Sequence, residues 1–180
     1  MDYKIIVLDL DGTLTNRDKI ITPRTRDALM EAQKAGNIVV LASGRPTPGV
    51  EPLARELEMD RFGSYILSYN GGMITNCKTG ETVFSSLLPL EANGKIIGLA
   101  KEHRVDILTY EGEEVITNNR ECPYAISESN INHLPLRQVD DMEAYVDFQV
   151  PKFIMLDDGD YLVTVEPKVK AAMGRDFSVY

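Results

Sequence analysis

Three short apolar runs, each closing on small polar residues, constrain this chain more than any other feature. Ile5-Ile6-Val7-Leu8 leads into Asp9-Leu10-Asp11-Gly12-Thr13. Ile38-Val39-Val40-Leu41-Ala42 leads into Ser43-Gly44-Arg45, and Tyr65-Ile66-Leu67-Ser68 into Asn70-Gly71-Gly72. The first run is short, β-branched and flanked by charge, and reads as a fully buried parallel strand. Helices fill the intervals. Thr22 is placed to cap one, with Pro23 at its first position, Ala28, Leu29, Ala32 and Ala35 on a shared face, and Gly36 closing it. A second runs from about Pro46 to Leu57. Strand, helix, strand, helix, strand with short connections specifies a parallel sheet with helices packed on it. Ligands bind such sheets at the carboxyl ends of the strands. The pattern therefore sets Asp9, Asp11, Ser43 and Asn70 along one rim.

From about residue 72 the character changes. Met73 to Ser86 alternates around Cys77-Lys78-Thr79-Gly80 and reads as a hairpin leading out of the first layer. A helix from Glu91 to His103 and strands over Val105–Tyr110 and Glu114–Thr117 follow, then an irregular stretch to about Pro135. A helix near Asp140–Tyr145, a strand over Phe153–Leu156 and a helical pattern from Asp158 to Met173 complete an α+β segment with its own small core. Pro167 predicts a kink or two short helices there, and Phe177 a last apolar start. A chain of 180 residues accommodates one domain or two small ones.

Charge narrows the partners. Nineteen Lys and Arg against 28 Asp and Glu give a net charge of −9, which argues against a basic face that grips nucleic acid or anionic membrane. A phosphate-handling site would have to make its own local positive field. The N-terminal apolar run is cut by Asp9, too early for a signal peptide or a membrane span, so the expected location is cytoplasmic. Cys77 and Cys122 lie at no metal-type spacing and read as ordinary thiols, with one disulfide as the alternative.

Two positions carry chemistry. Asp9 and Asp11 sit two apart, so strand geometry continued to Asp11 would put both carboxylates on one side. Such a pair suits Mg²⁺, or a division of labour in which one carboxylate attacks and the other moves protons. The plain alternative is that Asp11-Gly12 merely forms a turn. Ser43-Gly44, just before a helix opened by Pro46, offers a hydroxyl and backbone N–H groups to an anion, or else a simple helix cap.

Asp9-Leu10-Asp11-Gly12-Thr13-Leu14-Thr15, Leu41-Ala42-Ser43-Gly44-Arg45-Pro46 and Ser68-Tyr69-Asn70-Gly71-Gly72, in that order, resemble the Cof-type branch of the haloacid dehalogenase superfamily. The resemblance spans essentially the whole chain. It implies a three-layer, Rossmann-type parallel-sheet α/β core with an α+β type IIB cap: residues 1–83 as the N-terminal half of the core, residues 84–180 as a cap lying over the rim. It also implies an Mg²⁺-dependent phosphatase acting on a small phosphorylated metabolite, such as a sugar phosphate. By position, Asp9 would be the nucleophile that forms an aspartyl-phosphate and a metal ligand. Asp11 would be the general acid/base and touch the metal through its backbone carbonyl. Leu10 N–H, Ser43 and the Gly44 amide would bind the phosphoryl group, with Arg45 and Asn70 near the substrate. Asp11 also separates the chain from the P-type ATPase branch, which lacks an acid two residues after its nucleophile.

The departures matter as much. The family's phosphate-binding Lys after the cap and its G-D-x-x-N-D motif are not found. Lys168 and Lys170 fall within the last helical stretch, and Gly159-Asp160 is followed by Tyr-Leu-Val-Thr. Cys77-Lys78-Thr79-Gly80 has Cys where a phosphorylated Asp would stand. His103 and His133 have no relay partner, and Asp157, Asp158 and Asp160 read as a helix N-terminal cluster, with a calcium site as the alternative. The chain thus reads as the N-terminal portion of such a phosphatase, its core incomplete, with an exposed edge beside the first strand that favours self-association. The competing reading is a non-catalytic phosphate-binding or interaction protein of the same fold.

Overall fold

Parallel pairing builds the first part of the molecule. β1 (Ile5–Asp9) runs beside β2 (Ile38–Ala42) in register from Ile5↔Ile38 to Asp9↔Ala42, and β2 beside β3 (Tyr65–Ser68) with Ala42↔Leu67. The computed structural model describes residues 4–180. They form two units, one ending at Ser86 and the other spanning Leu87–Tyr180. In the first, two further strands join this sheet on the β3 side. The hairpin of β4 (Met73–Asn76) and β5 (Thr82–Ser85) does not lead out of the layer: it adds two antiparallel strands beside β3. Residues 84 and 85 are therefore strand residues of the first sheet.

α1 (Pro23–Lys34) starts as its sequence dictates, with Thr22 Oγ1 accepting from Thr25 N–H and Pro23 in the first turn. Its buried face is different from the expected one. Ala28 and Ala35 are exposed, and Leu29, Met30 and Gln33 are buried. Spacing of one and four residues marks the inward stripe, and Gln33 belongs to it because its amide is fully used. Nε2 donates to Leu57 O at 2.8 Å, and Oε1 accepts from Ser64 Oγ at 3.0 Å. Ser64 Oγ in turn accepts from Val39 N–H at 3.3 Å. This polar knot joins α1, the end of α2 (Thr47–Glu56), the start of β3 and the centre of β2. Around it pack Leu29, Val39, Leu41, Val50, Leu57 and Ile66, with Met59 from the short helix α3 (Met59–Phe62).

β1 is not the fully buried strand its apolar run suggests but the exposed edge expected from the incomplete core. Among the described residues it pairs with β2 alone, and Ile5 and Val7 are 55% and 60% exposed. An apolar edge strand of this kind is a template for another chain.

The second unit has its own four-stranded sheet. α4 (Leu90–His103) precedes β6 (Asp106–Glu111) and β7 (Glu114–Thr117), which pair as a hairpin. The stretch expected to be irregular holds α5 (Pro123–Asn132) and β8 (Leu136–Gln138), which pairs in parallel with β7. α5 hides in the sequence because Ala125 and Asn132 are its buried residues, so no apolar stripe marks it. α6 (Met142–Tyr145) is capped by Asp141, and β9 (Ile154–Leu156) flanks β6. α7 (Gly159–Met173) starts on the Asp158 side chain, which accepts from Asp160 N–H at 3.0 Å. It is one helix, not two. Pro167 has no N–H for the Val163 carbonyl, but Val163 is 70% exposed and water can serve that group. No strand begins at Phe177, which packs against the core of Ile97, Ala100, Ile107, Ile116 and Val165. α4 and α5 both end on a residue with left-handed backbone, Arg104 (φ 54°) and His133 (φ 55°). No described helix is long and apolar enough to cross a membrane. Cys77 and Cys122 are free thiols, and burial pushes the Cys77 thiol up to about 11.

Two outcomes are expected. Gln33→Ala strips the partners from a buried carbonyl and a buried hydroxyl and should lower unfolding free energy by about 1–3 kcal/mol in urea titrations. The 180-residue chain should associate with rising concentration in sedimentation velocity, and Val7→Lys on the β1 edge should return it to monomer. A concentration-independent monomer before substitution refutes edge pairing.

Candidate active site

β1 delivers Asp9 to the carboxyl end of the sheet, and a tight turn follows. The Asp9 carbonyl accepts from Leu14 N–H at 3.1 Å, and the Leu10 carbonyl from Thr15 N–H at 3.0 Å and Thr15 Oγ1 at 2.9 Å. Gly12 supports the turn with φ +85°, where a side chain would be strained. The strand ladder ends at Asp9, yet exposure still alternates: Asp9 out, Leu10 fully buried, Asp11 out. Asp9 and Asp11 thus project away from the side on which Leu10 is anchored.

β2 and β3 supply the facing loops. Asp9 is level with Ala42, so Ser43 follows directly beside it. Ser43 does not cap α2, whose N-cap is Pro46. Its backbone N–H donates to Leu67 O at 2.8 Å and its carbonyl accepts from Asn70 N–H at 3.1 Å. Its Oγ accepts from Arg45 N–H at 3.1 Å, which leaves the hydroxyl proton to give. Tyr69 N–H donates to Arg45 O at 3.0 Å, so the two loops interlock through their backbones. A Cβ on Gly44 would lie 3.1 Å from Asn70 Nδ2, so glycine permits the Asn70 amide to sit against this turn. Tyr69, Asn70 and Gly71 hold consecutive positive φ values of 52°, 57° and 93°. For Tyr69 and Asn70 this costs on the order of 1–3 kcal/mol each, sustained by the interlock. Tyr69 is buried, which pushes its phenol up, and the Thr47 backbone N–H partly offsets that.

Charge converges on Asp11. Arg45 grips it with both arms, Nε to Oδ2 at 3.1 Å and Nη2 to Oδ1 at 2.6 Å, and the Arg45 side chain is 10% exposed. Lys19 Nζ reaches the same Oδ1 at 2.8 Å. Arg45 first, then Lys19, hold the Asp11 carboxyl below its ordinary value of 3.8 against the opposing pull of burial. Lys19 escaped sequence reading. The signal was Asn16, a turn-forming residue whose side chain closes the loop that carries Lys19.

The donors suited to a cation here are oxygens: the Asp9 carboxylate and the Asp11 carbonyl. No cluster of three or more His, Cys, Asp or Glu able to hold a metal occurs among the described residues. An all-oxygen set with few carboxylates fits Mg²⁺, which keeps several waters.

The Asp11 ion pairs make a pH-dependent contribution of defined sign. Its depressed folded-state value means stability that is present above 3.8 and lost as pH falls through the lowered value. Following the Asp11 side-chain carboxyl carbon by NMR should give a midpoint below 3.8 that rises toward it in Arg45→Ala. An unchanged midpoint in the variant refutes the clamp.

The chain is similar to known proteins over most of its length. Residues 6–180 match the haloacid dehalogenase-like hydrolase family. YxeH of Bacillus subtilis (strain 168) is 31% identical over 166 residues, 91% of this chain and 61% of that protein. From the same organism, the 5-amino-6-(5-phospho-D-ribitylamino)uracil phosphatase YwtE is 36% identical over 94 residues, 52% of this chain and 30% of that protein. A crystal structure of a haloacid dehalogenase-like hydrolase from Bacteroides thetaiotaomicron superposes with TM-score 0.87 at 42% identity, covering 93% of this chain and 63% of that one. The chain therefore spans about 61% of YxeH and 63% of that structure. The family match covers residues 6–180, nearly the whole chain, and the chain belongs to the haloacid dehalogenase-like hydrolase family.

Proposed function

We propose that this chain carries the nucleophile half of a phosphatase that removes phosphate from a small phosphorylated metabolite. The observation behind the reading is the rim itself. Asp9 lies level with Ala42 at the strand ends, Ser43 follows, and Arg45 spans from that loop to Asp11. Phosphoryl transfer asks for in-line positioning and charge neutralisation, which such a rim supplies.

In this reading an Asp9 carboxylate oxygen attacks phosphorus and the bond to the leaving oxygen breaks; Asp11, ionised in the free protein, takes up a proton from solvent once the substrate's charge is beside it and passes that proton to the leaving oxygen. Water then gives a proton to Asp11 and attacks phosphorus, breaking the bond to Asp9 and releasing phosphate. The Ser43 hydroxyl and the Gly44 and Leu10 amides serve the phosphoryl oxygens, and Arg45 keeps Asp11 oriented. Mg²⁺, held by the Asp9 carboxylate and the Asp11 carbonyl, would offset phosphoryl charge. The metabolite is proposed to be a sugar phosphate or a relative of one. The name of YwtE, whose substrate bears its phosphate on a ribityl chain, supports that class.

The competing reading, phosphate binding without turnover, draws on the sparse donor set, since no cluster of three metal-binding side chains is found among the described residues. Assay separates the two. The residues from 1 to 180 lack a recognisable phosphate-binding Lys and second acidic pair. Each such contact is worth about 10²–10³ in rate, so the 180-residue chain should hydrolyse an aryl phosphate near background. A chain extended to the relatives' length should turn it over with Mg²⁺ and lose that activity in Asp9→Asn. Binding without turnover by the extended chain favours the competing reading. Asp9-dependent turnover by the 180-residue chain would show its site complete as it stands.

A further inference from the structure

We propose that Lys19 is a substrate contact held in reserve. In the free protein it rests on Asp11, and it transfers to the phosphoryl group of a substrate entering beside Asp9. The inference rests on the phosphatase reading above and deepens it by one residue.

The geometry is asymmetric. Arg45 already satisfies both oxygens of Asp11 through a planar fork, from a side chain only 10% exposed. Lys19 adds a second cation to an oxygen that Arg45 Nη2 already holds, and its side chain is 50% exposed. Asp11 thus faces two cations, and it stays paired with Arg45 when Lys19 leaves. Exposed ion pairs of this kind are weak, so Lys19 parts from Asp11 at small cost, and an incoming dianion outbids a shared carboxylate oxygen. Arg45 stays behind and holds Asp11 in place.

The loop is built to present this one side chain. Asn16 N–H donates to Ile20 O, and Lys19 N–H to Asn16 O, both at 3.0 Å. The Asn16 side chain accepts from Asp18 and Ile20 N–H, again at 3.0 Å. Lys19 itself sits at φ +61°, a backbone state that lysine rarely adopts. The backbone is fixed while the four-carbon stem is left to swing.

Binding of inorganic phosphate to the 180-residue chain, by isothermal titration with a chelator present, tests the assignment. Lys19→Met should weaken binding about three- to tenfold, and Lys19→Arg should restore it. Asp11→Asn releases the parked cation and should tighten binding by a similar factor, and that gain should vanish in the Asp11→Asn/Lys19→Met double variant. Thermal melts accompany each variant, with Lys19→Gln as the alternative if Met perturbs folding. Unchanged phosphate affinity in well-folded Lys19→Met, or an Asp11→Asn gain that persists without Lys19, overturns the role of Lys19 and leaves the phosphatase reading standing. No phosphate binding by the unaltered chain also overturns the role of Lys19, and the phosphatase reading then stands or falls on the assay of the extended chain.

Discussion

The parallel register across β1, β2 and β3 is the constraint on which the rest depends. Asp9 stands beside Ala42, and Ala42 beside Leu67. Those pairings bring three loops to one level before any side chain is considered. A slip by one residue would turn Asp9 toward the side Leu10 now occupies and carry the Ser43 loop away from it. The interlock of residues 43–45 with 69–70 completes the arrangement, because backbone bonds place Ser43 and Arg45 without recourse to flexible side chains.

Legibility in the sequence followed the physics of each element. β2, β3 and α1 were readable because apolar runs, a capping Thr and an N-terminal Pro act locally. What failed were matters of context. Ile5-Ile6-Val7-Leu8 has the composition of a fully buried strand, and its own residues carry no sign of the edge position that the missing downstream motifs implied and that the sheet order gives among the described residues. Gln33 looks like a surface residue until Leu57 and Ser64 supply its partners. α5 carries almost no apolar stripe and was invisible to periodicity, although Pro123 marked its start.

At the site, Asp9, Asp11, Ser43, Gly44, Arg45 and Asn70 were all named from motif and position. The structure brings them to neighbouring strand ends and loops. Their electrostatics were less accessible. That Arg45 grips Asp11 across 34 residues of sequence is a tertiary fact, and Lys19 enters through a turn whose only local sign was Asn16.

Helices α4 and α5 end on Arg104 and His133 in left-handed backbone, where glycine is the unstrained choice. Each such residue costs roughly 1 kcal/mol relative to glycine. Both lie in the second unit, away from Asp9 and Ser43 in the chain. They form a reserve of latent stability: a lineage under thermal pressure could reach firmer helix ends by single codon changes, and an exchange there would leave the chemistry of the first unit untouched.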